Sequence, residues 1–321
     1  MEFIKRLPRQ REFMIFIIIV AIFVAMTFAS PVFLTRSNVI TVLLAMSVNI
    51  LIGVGMANLM VSGGFDMSVG SVSAFSGAIA AFLMTIYHVP VVIAVLAALI
   101  CGAMVGMFNG FIIAKVGINP FVTTLAGLSL FRGLTLIITQ GRNISSLPAG
   151  FNAIGQTVFL GVQTPIWIAL FFIVLGELLL RKSRFFRQNY YIGGNEKAAR
   201  LSGIPVDRMK IINYMITGFL AALGGIVVTA RLATASTTAG TGLELQVITA
   251  VIIGGASLQG GEGTVLGAVF GALLMVLINN AMNLLNVDVY WQTFVTGAVL
   301  LIAVLIDRMG KLRRERIVKA A

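Results

Sequence analysis

Apolar runs of membrane-crossing length follow one another along almost the whole chain, separated by short polar breaks. A helix needs roughly 20 mostly apolar residues to cross the hydrocarbon core of a bilayer. About ten such runs are legible: Phe13 to Ala29, Val39 to Val61, Val69 to Ile86, Val91 to Val116, Phe121 to Thr139, Ile166 to Leu180, Ile211 to Ala230, Gln246 to Leu258, Val265 to Met282 and Tyr290 to Ile306. The eighth, short and broken by glycines, is the weakest. The pattern predicts an all-α integral membrane protein of about ten transmembrane helices. It reads as one transmembrane domain over 1–321, with an N-terminal half at 12–139 and a C-terminal half at 166–307. The first run follows basic residues as a signal peptide would, but no Ala-x-Ala cleavage site follows it and further spans do, so it is read as an uncleaved anchor.

Composition agrees with a bilayer as solvent: 59% of residues are apolar and only 11% are charged, against about 25% charged in ordinary soluble domains. Basic loops resist translocation and stay cytoplasmic, so lysines and arginines orient the spans. With the N-terminus inside, ten crossings place Lys5, Arg6, Arg9 and Arg11 inside, then Lys115, eight basic residues between Arg181 and Lys210, and six from Arg308 to Lys319. Outside lie Arg36, Arg142 and Arg231, and Arg132 falls inside the fifth span. Both termini are therefore expected in the cytoplasm, with 308–321 a basic cytoplasmic tail. The net charge of +12 is accounted for by basic edges facing anionic lipid headgroups, without nucleic acid.

Several chemistries are excluded. There is no G-x-x-x-x-G-K-[ST] phosphate loop, so the chain is not by itself a P-loop ATPase. The lone His88 cannot supply a usual zinc set, and it is read as a surface loop residue. Cys101, the single cysteine, is read as helix packing. No cofactor and no enzymatic activity are expected, and the chain is read as a conduit and coupler.

The longest cytoplasmic insertion, residues 181–210, reads as a small exposed helix in its second half. Asn195 is a plausible N-cap, Glu196 favours the positive helix start, "EKAARLS" has mostly strong helix formers, and Gly203 can end the helix left-handed. Ala198, Ala199, Leu201 and Ile204 give it an apolar contact surface; the competing reading is a solvated loop.

Four motifs in order, "SGGFDMSVGS" at 62–71, "GGNEKAARLSGI" at 193–204, "TAGTGLEL" at 238–245 and "IGGASLQGGEGTVLGA" at 253–268, resemble the membrane permease subunits of bacterial ABC importers for monosaccharides, the ribose permease group. The resemblance covers nearly the full chain. It implies a permease dimer of two copies or paralogues, separate ABC ATPase subunits, a soluble sugar-binding protein and the bacterial inner membrane. It also implies a cytoplasmic coupling helix, matched by Gly193, Gly194, Asn195, Glu196, Ala198, Ala199, Leu201, Ser202 and Gly203. The implied fold is similar to the vitamin B12 permease type, with ten helices in two inverted halves. An independent sign is that "GFDMSV" at 64–69 is patterned like "GLELQV" at 242–247, and "INPFVTT" at 118–124 corresponds to "VDVYWQT" at 287–293. These pairs open spans from opposite sides at offsets of 178 and 169 residues, as in an inverted repeat; chance similarity of short apolar segments is the alternative.

An acid after glycines marks a break in helical pairing, tolerated at depth only where protein or a water-filled cavity satisfies the backbone. Asp66 is read as a cap on the third span, accepting from amides near Ser68 and Val69, or alternatively as part of the path or gate. Glu244 has the same reading on the other side. Arg132 lies 11 residues into its span, about 16 Å along an ideal helix, and should face a cavity, carbonyls or an acid, or else snorkel outward. Uncharged polar groups suited to binding hydroxyls weakly are Asn109, Asn119, Thr123, Thr124, Asn279, Asn280, Asn283, Gln292 and Thr293, with Trp291 as an aromatic face. Each has helix-helix hydrogen bonding as its alternative. A rival function is an ion-coupled secondary transporter of a small polar solute using Asp66, Glu244 and Arg132.

Overall fold

Among the described residues, ten of the α-helices overlap the ten apolar runs and the other three lie in polar connections. The computed structural model describes the backbone of residues 10–320 and the side chains of 13–309. Lys5, Arg6 and Arg9, and the side chains of Arg11, Lys311, Arg313, Arg314, Arg316 and Lys319, lie outside the described residues. In chain order the run helices are α1 (Gln10–Ala29), α2 (Arg36–Val61), α3 (Val69–Thr85), α4 (Val91–Phe111), α5 (Pro120–Thr139), α7 (Thr164–Lys182), α10 (Val206–Leu232), α11 (Leu243–Ile253), α12 (Val265–Leu284) and α13 (Val289–Ala320). The additional helices are α6 (Ala149–Gln156), α8 (Arg184–Gly194) and α9 (Glu196–Leu201). A hairpin, β1 (Val158–Phe159) and β2 (Val162–Gln163), turns through Leu160 and Gly161, both at positive φ, as tight hairpins require. None of α6, α8 and the hairpin is anticipated in the sequence reading.

Among the described residues, seven helices are long and apolar enough to cross a membrane; Phe13–Ala29, Val69–Thr85 and Leu243–Ile253 are apolar but shorter. The fourth run continues from α4 into a π-helical turn, Ile112–Val116, which ends at left-handed Gly117. The eighth run is displaced from its expected bounds. Left-handed Gly242 sets the start of α11 at Leu243, and Gly255, at φ 96°, cannot continue a helix, so residues 254–264 form a glycine-rich loop instead. Eleven residues rise only about 16 Å, short of the roughly 30 Å hydrocarbon core.

Helices α2 and α10 form the centre. From Val48 to Val61, α2 is buried on nearly every face, and α10 is buried along most of its length, which is what a helix apolar all round requires. Helix α10 packs on α2, α3 and α4, and α2 packs on α10, α11 and α12; α3 lies against α4 and α5, as α11 lies against α12 and α13. The same neighbours result when α2, α3, α4 and α5 are exchanged for α10, α11, α12 and α13. Two close crossings use glycine where a side chain would strike backbone. A Cβ at Gly106 of α4 would overlap the Tyr214 carbonyl of α10, and one at Gly271 of α12 would overlap the Ala250 carbonyl of α11.

The helix ends sort into two sets. At the start of α10, Lys115 pairs with Asp207 at 2.9 Å and Gly261 N donates to the Val61 carbonyl at 2.9 Å, gathering 112–117, 183–205 and 254–264. At its other end, Gln156 Nε2 donates to the Arg231 carbonyl at 3.0 Å and Ile144 bridges Ala235, gathering 140–163 and 233–242.

Candidate functional site

Helix α2 stops at Ser62 because Gly63 turns left-handed at φ 83°, and five residues pass before Ser68 starts α3. Asp66 lies in this break, 1% exposed. Its Oδ1 accepts from Ser68 N at 2.7 Å and Ser68 Oγ at 2.6 Å, and Asn109 Nδ2 of α4 donates to the same Oγ at 3.0 Å. The cap reading needs refinement: Ser68 holds the N-cap position, and Asp66 closes a side-chain turn just ahead of it without reaching the Val69 amide. Asp66 Oδ2 and Asn109 Oδ1 are buried without a hydrogen-bond partner among the described residues. Gly127 of α5 closes over Ser68 and Asn109, so Asp66, Ser68 and Asn109 form one polar cluster where α3, α4 and α5 meet.

A second cluster adjoins it through α3. The Glu244 carboxylate and the Gly240 carbonyl lie so close to Gly70 that a Cβ there would overlap both. The two breaks predicted from the sequence thus touch, and the positive start of α3 faces the second acid. Arg132 Nη1 donates to the carbonyls of Thr237 at 2.9 Å and Ala239 at 2.8 Å, in the loop that leads to Glu244. An intramembrane cation requires such acceptors, and α5 is thereby tied to the loop leading into α11.

The remaining polar candidates do not join these clusters. Asn119 caps α5 by accepting from Phe121 N at 2.8 Å, and the hydroxyls of Thr123 and Thr124 bond to carbonyls one turn back, on the buried side of α5. Asn280 exchanges hydrogen bonds with Asn38 of α2 at 2.7 and 3.2 Å, and Gln292 donates to Asn283 at 2.6 Å. Asn279 Oδ1 is buried without a partner among the described residues. Trp291 and Thr293 lie exposed on α13, with Trp291 edge-on to Phe294.

In the polar insertion, Asn195 Oδ1 accepts from Ala198 N at 3.0 Å and Gly203 turns left-handed at φ 80°, so α9 has the expected cap and stop. Burial alone would push the Glu196 carboxyl up, but hydrogen bonds from Lys210 and Arg200, together with their charges, hold it below the usual carboxylate range. Ala199 corrects the sequence reading. It packs inward, 3% exposed, with Ile192, Val206 and Met209, because α9 folds back on the start of α10. The outward apolar residue is Leu201, 91% exposed, and a groove of about 480 Å³ runs beside α9 past Tyr190, Tyr191, Gly194, Asn195, Ala198 and Ser202.

Sequence reasoning missed Asn58, Asn189 and Asn213, which meet in the interior. Asn58 and Asn213 carried a signal, an amide inside an apolar run, since buried polar groups in a folded protein are almost always paired; Asn189, in the polar insertion, carried none.

A family model described as branched-chain amino acid transport system / permease component matches residues 38–304. The chain belongs to this permease family. The permease is 39% identical to the ribose import permease protein of Haemophilus influenzae over 308 residues, covering 94% of this chain and 93% of that one. It is 42% identical to the ribose import permease protein of Bacillus subtilis over 282 residues, 87% of each chain. With the L-arabinose transport system permease protein of Escherichia coli K12 it shares 38% identity over 292 residues, 91% of this chain and 89% of that one. No solved structure matches the permease.

Proposed function

We propose that this permease forms the translocation path of an ATP-driven ABC importer for a monosaccharide, a ribose-like pentose, a hexose or a related sugar. The observation that carries the reading is identity of 38% to 42% with ribose and arabinose permeases over nearly the whole of both chains. It is a transport subunit and not an enzyme. A soluble binding protein delivers the sugar, separate ATPase subunits hydrolyse ATP, and a second permease copy or paralogue completes the path in the bacterial inner membrane. The exchangeable packing of α2–α5 and α10–α13 supports ten crossings in two inverted halves, in which the breaks before α3 and α11 shorten those two helices and their starts lie beside each other. The Asp66, Ser68 and Asn109 cluster and the Arg132 and Glu244 cluster lie at those starts, where bonds to sugar hydroxyls can form and release as the breaks shift. Residues of α13 such as Trp291 and Thr293 face outward and are assigned to lipid or the second copy.

The deciding experiment is uptake into vesicles. Purified permease with its ATPase and binding protein should accumulate sugar on addition of ATP; accumulation that follows an imposed ion gradient without ATP would overturn the reading.

The basic residues of 112–117 and 181–210 assign that set of helix ends, with both termini, to the cytoplasm. In a Cys101→Ser background, Lys197→Cys should react with a membrane-impermeant maleimide only in inverted vesicles and Ser145→Cys only in intact cells. Labelling of both from outside would refute the orientation.

Leu201 is assigned to the ATPase contact. Leu201→Asp leaves a folded permease, since that side chain is exposed among the described residues, but the ATPase should no longer co-purify and uptake should fall to background. Normal retention with normal uptake would make α9 a solvated loop.

A further inference from the structure

We propose that Asn189, with Asn58 and Asn213, is a positioning element that carries displacement of the coupling segment to the break before α3 in which Asp66 sits. This rests on the importer reading above.

The three asparagines come from α8, α2 and α10, and Asn189 and Asn213 are wholly buried. Asn189 Nδ2 donates to Asn58 Oδ1 at 2.8 Å and to Asn213 Oδ1 at 3.3 Å; Asn58 Nδ2 donates to Asn213 Oδ1 at 2.9 Å; Asn213 Nδ2 returns a bond to Asn189 Oδ1 at 2.9 Å. The ring is closed. Apolar residues of similar shape would hold α8 against the core about as well, because replacing both partners of a buried hydrogen bond is nearly neutral. What the amides add is direction: α8 can neither roll nor slide without leaving a buried donor or acceptor unpaired.

A second contact, in backbone rather than side chains, locks the same helix. Gly193, at the end of α8, lies so close to the Val61 carbonyl and Gly261 N that a Cβ would overlap both, while Gly261 N bonds Val61 and Tyr190 Oη donates to the Gly263 carbonyl at 2.8 Å. Three of the four sequence motifs, those containing Gly63, Gly193 and Gly261, therefore meet at one point. The segment that carries α9 is thus seated on the end of α2.

From there the break is gripped at its start and in its middle by consecutive residues of α10. Asn213 Nδ2 donates to Ser62 Oγ at 3.2 Å, and Tyr214 Oη donates to the Phe65 carbonyl at 3.0 Å, one residue before Asp66. The break is where non-helical backbone can move without breaking a helix ladder. Because α8 cannot move independently of α2 and α10, a displacement of α8 carries Asn213 and Tyr214 with it and is delivered to residues 62–66, and through Asp66 and Ser68 to Asn109.

The test is uptake per ATP hydrolysed in proteoliposomes holding permease, ATPase and binding protein. Asn189→Leu should retain the ATPase and its hydrolysis rate while uptake per ATP falls about tenfold, and Tyr214→Phe should lower the ratio about threefold, the range expected for residues that modulate coupling. An unchanged ratio in folded Asn189→Leu overturns the proposal, as does loss of ATPase retention in step with uptake, which would mark a mere anchor. Where Asn189→Leu does not assemble, Tyr214→Phe, which removes one hydroxyl, decides by the same ratio. A wild-type complex showing no ATP-dependent uptake refutes the importer reading, and this proposal with it.

Discussion

Gly106→Leu is expected to leave no folded permease to extract in mild detergent, whereas Gly133→Ala should be recovered at the wild-type level or above. The two glycines occupy similar apolar helices but opposite surroundings. A Cβ at Gly106 would stand 2.8 Å from the Tyr214 carbonyl carbon and 3.0 Å from Met215 Cα, and backbone cannot rotate away as a side chain can. The same α4 face carries Gly102 and Gly110, set against Gly218 and Ile211, so relief at one point drives the whole crossing apart. Overpacking a core typically costs about 1–3 kcal/mol, and a clash along a backbone crossing exceeds that because no repacking absorbs it. Beyond its own helix backbone, Gly133 of α5 has no atom of the described residues within 4 Å of its would-be Cβ, and alanine there gains about 0.5–1 kcal/mol of helix preference. Size-exclusion profiles of the two variants check the contrast. Recovery of Gly106→Leu as a normal peak would show that α4 and α10 are not held at backbone distance.

Asp66→Leu should likewise eliminate uptake and sharply reduce assembled permease, whereas Asp66→Asn should assemble normally and transport. The aspartate oxygen that matters for assembly is Oδ1, which satisfies both the amide and the hydroxyl of Ser68. Leucine strands two buried donors, at about 1–3 kcal/mol each, at a break that has no helix ladder to hold it. Asparagine keeps an acceptor and places an amide group where the unpartnered Oδ2 stands. Yield, thermal unfolding and vesicle uptake are the measurements. An asparagine variant that assembles but transports nothing would show that the carboxylate itself serves the path.

All ten apolar runs were legible in the sequence as helices, because the need to bury every backbone donor leaves a membrane segment little other choice. So were the cap at Asn195 and the left-handed stop at Gly203, each set by neighbours within a turn or two. The motifs carried the family as well, since they lie in order along nearly the full chain. Chain ranks below that level were not legible. Whether Asn109 and Ser68 meet, or Asn280 instead finds Asn38 across 242 residues, depends on which helices become neighbours, and an apolar run presents candidates on every face. Ala199 turned inward and Leu201 outward because α9 folds back on α10, a choice no composition of six residues contains. The helix α8 escaped notice because its sequence is polar and short, and it is stable only where Asn189, Tyr190 and Gly193 find partners in α2, α10 and the loop before α12. Local sequence determined which segments are helices and where they stop; only the tertiary structure decided which polar groups share an interior, because an isolated amide is satisfied equally by any partner that arrives within 3 Å.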